Sequence, residues 1–296
     1  MLYQKQVKSV LNKHKKRDSW FLDDYSVNPY EGCSCNCLYC YIRGSKYGEN
    51  MDDGLAVKSN ALEILDKQLA ARAKKNQYGI VTVGSATDAY IHHEEKLKMT
   101  EGMLKLLLKH RFPVFISTKC TLITRDIELL KEIDGNAILP HDLQHSLKRG
   151  VILSVSISTL DEKITNILEP GAAIPFQRLQ LVKQLKEEGF LVGINAIPVL
   201  PFISDREQEL ERIIAAAKGH HADFLLAGGL TLFGTGPADS KTLFYKLLER
   251  YDASLLPKYQ KLYGSDFYAP FSYQNELKEK TQRLCKKYSI RNSILE

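Results

Sequence analysis

Short, nearly continuous apolar runs alternate with amphipathic segments along most of the chain. The strand candidates lie at 23–30, 79–84, 113–118, 150–158, 191–197 and 222–229. Apolar residues recur at helical spacing in the segments 60–75, 100–110, 125–133, 175–189 and 205–219. Apolar strands separated by helices are typical of a parallel sheet covered by helices. About six strand–helix units therefore favour an α/β fold built as a partial or full barrel over a doubly wound sheet.

Polar residues at the ends of these segments predict helix boundaries. Asn60, with Glu63 three positions later, predicts a capping box at the start of the first helix. Asp205 predicts a cap for the helix over 205–219. In the segment 175–189, Pro175 predicts the first turn of the helix and Gly189 predicts its end.

The last part of the chain has a different pattern. Residues 231–296 alternate helical segments with turn sequences such as "GTGPADS". We therefore predict a basic N-terminal segment at 1–24, an α/β core at 25–230 and a helical C-terminal extension at 231–296.

The composition is that of an ordinary globular protein, with 44% hydrophobic and 26% charged residues. No apolar run approaches the roughly 18 residues of a membrane span, and the N-terminus lacks the apolar stretch of a signal peptide. We therefore predict a cytoplasmic protein with reduced thiols and no membrane partner. The net charge of +6 and a basic N-terminus make nucleic acid one candidate partner. The basic residues are Lys5, Lys8, Lys13, Lys15, Lys16 and Arg17.

Four of the six cysteines lie within eight positions, at Cys33, Cys35, Cys37 and Cys40. In a reducing compartment such crowding indicates a metal centre rather than disulfides. A zinc site would take all four thiolates from one tight loop, whereas zinc sites usually combine a short cysteine pair with distant ligands. The other two cysteines are isolated in the sequence and offer no second pair.

The alternative ligand set is Cys33, Cys37 and Cys40, with the spacing C-x3-C-x2-C. Three thiolates can hold three irons of a 4Fe–4S cluster and leave the fourth iron without a protein ligand. An incomplete ligand set is what a catalytic metal needs, as in catalytic zinc sites. The loop follows the first strand candidate, so in a barrel it lies at the end where loops supply the chemistry.

The stretch "NPYEGCSCNCLYCYIR" resembles the cluster motif of the radical S-adenosylmethionine superfamily, with the aromatic residue Tyr39 just before the last cysteine. The resemblance implies a partial (β/α)6 barrel of the TIM type, a 4Fe–4S cluster on Cys33, Cys37 and Cys40, and S-adenosylmethionine (SAM) on the open iron. The reduced cluster would cleave SAM to a 5′-deoxyadenosyl radical that abstracts a hydrogen atom from the substrate. An external electron donor of the flavodoxin or ferredoxin type is then expected, and Cys35 has no assigned role.

Four further stretches resemble the spore photoproduct lyases and DNA repair photolyase-like proteins of that superfamily. They are "GSATDAY" (84–90), "STKCTLITRDIELL" (117–130), "SISTLDEKITNILEPGAAIPFQRL" (156–179) and "GINAIPVLPFISD" (193–205). The SAM contacts that this resemblance implies are Tyr39, Ser85, Lys119, Ser156, Ser158 and Ile197. The lysine ammonium suits the SAM carboxylate, the serines offer hydroxyls, and Tyr39 and Ile197 would meet the adenine.

One position departs from the lyases. They carry a cysteine where this chain has Ser85, and that cysteine returns a hydrogen atom to the product radical. A hydroxyl O–H bond is too strong for this step, so the substrate does not follow from the resemblance. We predict a radical SAM enzyme with an unidentified substrate, for which nucleic acid is a candidate. The alternative is a non-catalytic nucleic-acid-binding module stabilised by zinc or by a cluster.

Overall fold

The structure is a computed structural model that describes residues 2–45, 48 and 54–295. Residue 1 of the predicted N-terminal segment and residue 296 of the predicted C-terminal extension lie outside the described residues. The strands are β1 Leu2–Lys5, β2 Asn12–Lys13, β3 Asp23–Val27, β4 Tyr30–Glu31, β5 Leu55–Lys58, β6 Ile80–Val83, β7 Val114–Thr118, β8 Val151–Ser156, β9 Leu191–Val199 and β10 Phe224–Gly229. The helices are α1 Ala61–Ala73, α2 Glu94–Leu97, α3 Met99–Lys109, α4 Ile127–Asn136, α5 Glu162–Leu168, α6 Pro175–Glu187, α7 Glu207–Gly219, α8 Ser240–Tyr251, α9 Leu256–Tyr263 and α10 Phe271–Lys287.

Six parallel strands form the main sheet in chain order, β3-β6-β7-β8-β9-β10. Helices connect successive strands from β6 to β10, as parallel pairing requires. The short β2 extends the sheet antiparallel to β3. This topology confirms the predicted partial barrel. Each strand candidate between residues 79 and 229 overlaps one strand of the sheet, and β9 extends two residues beyond its candidate.

The two ends of the sheet approach each other through the loop that joins β2 to β3. A side-chain carbon added to Gly228 on β10 would lie 3.2 Å from the Trp20 ring and 3.2 Å from Ile197. Phe21 in the same loop packs on Phe115 of β7, with ring centroids 5.2 Å apart. The loop therefore lies across the open side of the partial barrel.

The two faces of the main sheet differ in chemistry. One face packs against the helices through Val81, Ile116, Leu153, Ile194 and Leu225, within the large hydrophobic core. Residues alternate between faces along each strand, so the intervening positions lie on the inner, concave face. At the N-terminal ends of the strands this inner face is an apolar floor, made of Ile80, Phe115, Ile152, Leu191 and Phe224 with loop residues beneath them.

The N-terminal residues belong to both sheets. A second sheet has the order β1-β5-β4, with β1 parallel to β5 and β4 antiparallel to it. Lys5 in β1 pairs with Glu31 at 2.8 Å, and Arg17 pairs with Asp24 at 3.0 Å. The division at residues 24 and 230 stays a prediction.

Two predicted helix caps are wrong. The Asn60 side chain does not cap α1; its amide instead exchanges two 3.0 Å hydrogen bonds with the backbone of Val7. The carboxylate of Asp205 accepts from the Tyr273 hydroxyl at 2.8 Å, and α7 begins at Glu207 without a side-chain cap. In both places a long-range partner displaces the local hydrogen bond that the sequence pattern predicts.

The other boundaries agree with the prediction. Pro175 begins α6, and Gly189, with a φ of +86°, follows its end. Helices α8, α9 and α10 confirm the helical character of the C-terminal part. After α10 the chain returns to the barrel, where the Leu225 N–H donates to the carbonyl of Arg291 at 2.8 Å. Among the described residues, no helix is both long and apolar enough to cross a membrane.

Candidate cluster and cofactor site

The predicted site residues lie at the C-terminal ends of the parallel strands. The cysteine loop, residues 31–44, begins at β4, just after β3. Ser85 follows β6, Lys119 follows β7, and Ser158 follows β8. Because parallel strands all point the same way, these loops meet at one mouth of the barrel, where barrel enzymes carry their chemistry.

Cys35 contacts Cys120 outside the loop and also interacts with Cys33 within it. Its sulfur lies 3.6 Å from the sulfur of Cys120 and 3.9 Å from Asp88 Oδ2. The hydrogen bond with Cys120, together with burial, raises the pKa of the Cys35 thiol. The loop thus directs one of its four thiols towards the end of β7.

Of the remaining three cysteines, Cys37 is buried and Cys33 and Cys40 are half-buried. Burial raises the pKa of the Cys37 and Cys40 thiols, and the nearby Lys119 ammonium opposes that shift at both. Electrostatic interactions with Glu169, and then with Cys40 and Cys33, add to the rise in the pKa of Cys37. The three sulfurs are therefore close enough to influence one another. A bound metal would favour their thiolate forms.

A compact four-cysteine site has no counterpart here. Zinc about 2.3 Å from each sulfur holds its ligands about 3.8 Å apart. In the part of the chain that the structure describes, the four loop sulfurs form no group that compact. The compact group is instead Cys35, Asp88 and Cys120, whose ligand atoms all lie within 4.8 Å of one another.

Asp88 acts as an anchor between the loops rather than as a free ligand. Its Oδ2 accepts from the backbone N–H of Lys119 at 2.7 Å. Its Oδ1 accepts from the Thr118 hydroxyl at 2.7 Å and from the N–H of Tyr90 at 2.9 Å. The N–H of Asp88 in turn lies 3.5 Å from the Cys33 sulfur. This carboxylate therefore holds the loop after β6, the end of β7 and the cysteine loop together.

A second buried network ties Tyr39 to the barrel wall. The Tyr39 hydroxyl bonds to the carboxylate of Glu169 and lies 3.1 Å from Ser158 Oγ. Glu169 forms an ion pair with Arg178, which donates to the carbonyl of Ser156 at 2.9 Å. All five residues are buried. Burial raises the pKa of Glu169, and the Arg178 charge opposes that rise.

The predicted SAM contacts differ in how they are held. The Lys119 ammonium has no hydrogen-bond or ion-pair partner among the described residues. Its charge opposes the rise in the pKa of the Cys37 and Cys40 thiols. Ser85 Oγ accepts from the Asn28 amide at 3.0 Å. Ser156 Oγ lies 3.2 Å from Ser117 Oγ. Ile197 is half-buried and packs beside the apolar cluster of the inner face.

Sequence reasoning missed Glu169 and Arg178. Both lie inside the stretch "LEPGAAIPFQR", but charged residues next to an amphipathic helix usually face solvent. The sequence does contain one signal for their role. Neither Glu169 nor Arg178 has an oppositely charged residue three or four positions away, so an ion pair of either residue must join it to a residue further along the chain. Asp88 lies in the stretch "GSATDAY", and its role as an anchor between the loops is visible only in the structure.

A curved parallel sheet with a cysteine-rich loop at its C-terminal mouth is the architecture of a barrel enzyme whose chemistry lies at that end. The model of the Radical SAM superfamily matches residues 27–214, which is more than half of the chain, and the chain belongs to that superfamily. It is thus a radical SAM enzyme, and the cofactors of this family are a 4Fe–4S cluster and SAM.

The chain is also similar to individual proteins, one of which has a radical SAM name. The chain is 29% identical over 275 residues to an uncharacterized protein of Mycobacterium tuberculosis, covering 90% of this chain and 75% of that protein. It is 21% identical over 204 residues to a radical SAM Nalpha-GlyT isomerase of Pseudomonas phage M6, covering 68% of this chain and 39% of that protein.

Solved structures show the same fold. A cysteine-to-serine mutant of spore photoproduct lyase has a TM-score of 0.67 and 15% identity, covering 97% of this chain and 79% of the lyase. A doubly substituted spore photoproduct lyase with bound AdoMet and dinucleoside spore photoproduct has a TM-score of 0.66 with the same coverage and 15% identity.

Proposed function

We propose that Cys33, Cys37 and Cys40 hold the 4Fe–4S cluster, that SAM binds beside Lys119, and that the enzyme acts on a nucleic-acid substrate. The observation that carries the ligand assignment is the pairing of the Cys35 thiol with Cys120 at 3.6 Å. That pairing engages Cys35 with a residue outside the loop, although Cys33 also interacts with Cys35. The other two thiols, those of Cys37 and Cys40, lie within the field of the Lys119 ammonium.

The residues of the mouth have separate tasks in this proposal. Lys119 binds the SAM carboxylate, because its ammonium has no competing acceptor among the described residues. Tyr39 presents its ring to the adenine while Glu169 holds its hydroxyl. Ser156 and Ser158 offer hydroxyls to the ribose, Ser85 offers one to the amino acid, and Ile197 contacts the adenine. When bound and reduced, the cluster supplies the electron that cleaves SAM, and an external donor replaces it.

The open side of the barrel supports a nucleic-acid substrate. Lys13, Lys15 and Lys16 are exposed around β2, at the edge of the sheet. Trp20, whose side chain is 42% exposed, lies on Gly228 across the same opening. Exposed cations and an aromatic face are what a single-stranded nucleic acid needs for phosphate contacts and base stacking.

The chain does not hold a thiol at the position of the lyase hydrogen donor. The Ser85 hydroxyl accepts a hydrogen bond from the Asn28 amide, and two thiols outside the proposed ligand set, those of Cys35 and Cys120, are buried against each other. We therefore do not extend the lyase reaction to this chain. The substrate radical must regain its hydrogen from 5′-deoxyadenosine or from a donor outside this position.

The direct test is anaerobic reconstitution with iron and sulfide, followed by an assay for 5′-deoxyadenosine with SAM and dithionite. The proposal expects bound iron and sulfide and formation of 5′-deoxyadenosine, with faster formation when single-stranded DNA or RNA is added. A colourless protein that holds stoichiometric zinc and forms no 5′-deoxyadenosine would support the non-catalytic module instead. Cleavage of SAM that no nucleic acid accelerates would remove the substrate assignment and keep the cofactor chemistry.

A further inference from the structure

A short apolar stretch of the surface lies against the cysteine loop. Residues 167–176, named here the α5–α6 segment, contain the connection between these two helices. The Leu38 N–H of the cysteine loop donates to the carbonyl of Leu168 at 2.9 Å. The Gly171 N–H donates to the carbonyl of Cys35 at 3.1 Å, and a side chain at Gly171 would collide with the backbone of the loop. The segment therefore covers part of the loop that carries the proposed cluster ligands.

The α5–α6 segment exposes large apolar side chains at both of its ends. The exposed fraction is 48% for Ile167 and 60% for Phe176. Between them Pro170 is exposed and Ala172 is half-buried. The single charged residue of the segment, Glu169, is buried and turned to the interior. Exposed apolar surface without charged groups is typical of the central part of a protein interface.

The charges closest to this surface are positive. Arg43, which is half-buried, is the one charged residue of the cysteine loop after its first position. Along the chain on either side of the α5–α6 segment, the nearest exposed charged residues are Lys163 and Lys183. Exposed carboxylates follow beyond them, at Glu162 and at Glu187, which lies 3.9 Å from the Lys183 ammonium. A partner with net negative charge is complementary to such a border.

We propose that the α5–α6 segment is the docking site of the external electron donor, and that this donor is a small acidic redox protein. In the proposed function SAM and substrate occupy the mouth and interior of the barrel, so a donor protein must approach the cysteine loop from outside. Interfaces between electron-transfer partners are small and weak, which suits a short segment with two exposed apolar anchors.

The step that this docking serves is a transfer of one electron. The donor loses one electron, the cluster bound to the loop gains it, and no bond forms or breaks. This inference rests on the proposed function, because the loop gives a donor a target only when its cysteines hold the cluster.

Binding of the donor to the reconstituted enzyme tests the surface without any reaction. The probes are flavodoxin and a ferredoxin, each in its oxidised form and at low salt. Phe176→Asp places a carboxylate in the first turn of α6, which the helix tolerates well. It should weaken binding of the donor about tenfold, because it removes an apolar anchor and adds a like charge. Phe176→Leu keeps an apolar side chain and should bind the donor like the wild type.

Two further variants control this result. Ile167→Ser removes the second apolar anchor and should also weaken binding of the donor. His145→Asp places a carboxylate at an exposed position before β8, at the end of the barrel opposite to the mouth. It should leave binding unchanged.

Formation of 5′-deoxyadenosine from SAM separates docking from the chemistry of the site. With the reduced donor protein below saturation, Phe176→Asp should react more slowly than the wild type by the factor seen in binding. With dithionite, a small reductant that needs no docking site, the two enzymes should react at equal rates.

Three results would overturn the docking site: no binding of either redox protein to the wild-type enzyme, unchanged binding in both Phe176→Asp and Ile167→Ser, or an equal loss in His145→Asp. Each of them can occur while the wild-type enzyme forms 5′-deoxyadenosine with dithionite. The dithionite assay therefore reports the proposed function separately from the docking site.

Discussion

The hydroxyl of Tyr39 donates a hydrogen bond to the buried carboxylate of Glu169, which joins the cysteine loop to the barrel wall. Glu169 in turn forms an ion pair with Arg178, whose guanidinium reaches the carbonyl at the end of β8. The Tyr39 ring, next to Cys40, is therefore held through its hydroxyl. Its orientation depends on the ion pair of Glu169 and Arg178, which lies outside both the cysteine loop and the sheet.

Tyr39→Phe should lower the free energy of unfolding of the cofactor-free protein by about 1–3 kcal/mol, because a buried carboxylate loses its hydroxyl donor. Tyr268→Phe is the control, since the Tyr268 side chain is 55% exposed and its loss of a hydroxyl should cost little. Denaturant unfolding measures both. Equal values for the two variants would mean that the Tyr39 hydroxyl contributes no net stability.

Lys119→Met should weaken SAM binding by about tenfold or more, because it removes a charge-assisted hydrogen bond to the carboxylate. The iron content after reconstitution should remain that of the wild type. Lys96→Met, at an exposed position on α2, is the matched control. Equilibrium binding of SAM to the unreduced enzyme measures the effect, and an unchanged affinity in Lys119→Met would remove this lysine from the SAM site.

Ser85→Cys should leave SAM affinity unchanged, because sulfur is only slightly larger than oxygen and the position already packs a side chain beside Asn28. Incubated with the dinucleoside spore photoproduct, the wild-type enzyme should release by-products of an unquenched thymine radical. Ser9→Cys, at an exposed position, controls for an added thiol elsewhere. Conversion to two thymidines without by-products by the wild-type enzyme would show that the product radical regains its hydrogen atom efficiently despite the serine at position 85.

Binding of single-stranded nucleic acid should weaken steeply with salt, because lysines at β2 displace condensed counterions. Changing Lys13, Lys15 and Lys16 together to Ala should flatten the slope of log K against log salt by up to about 2. A triple change of the exposed Lys261, Lys278 and Lys286 to Ala removes the same charge from the C-terminal helices. The same flattening in both triple variants would point to net charge rather than to the open edge of the barrel.

The sequence predicted the barrel because its strands are buried on both faces. Runs such as 150–158 stay apolar or small at every position, and this pattern differs clearly from that of the intervening helices. Strand β1 was not predicted, because its pairing with β5 joins residues more than 50 positions apart. Two such short segments become strands only when the chain brings them together.

The sequence predicts a set of cluster ligands, but it does not show which residues hold the loop that carries them. Spacing marks Cys33, Cys37 and Cys40, but no spacing shows that Cys35 faces Cys120, 85 residues later. Likewise, Asn60 and Asp205 stand at positions where local patterns predict helix caps. Their side chains instead form hydrogen bonds with residues distant in sequence, Val7 and Tyr273. Local patterns report what a residue can do, whereas the packed fold decides which of the competing partners it meets.

The central claim, that three of the four loop cysteines hold the cluster, is tested most directly by iron analysis of single Cys→Ala variants after anaerobic reconstitution. Cys33→Ala, Cys37→Ala and Cys40→Ala should each lose most of their iron, because removal of one ligand frees a second iron of the cube. Cys35→Ala should keep about four irons per chain. Iron loss in Cys35→Ala as large as in the other three variants would contradict the assignment.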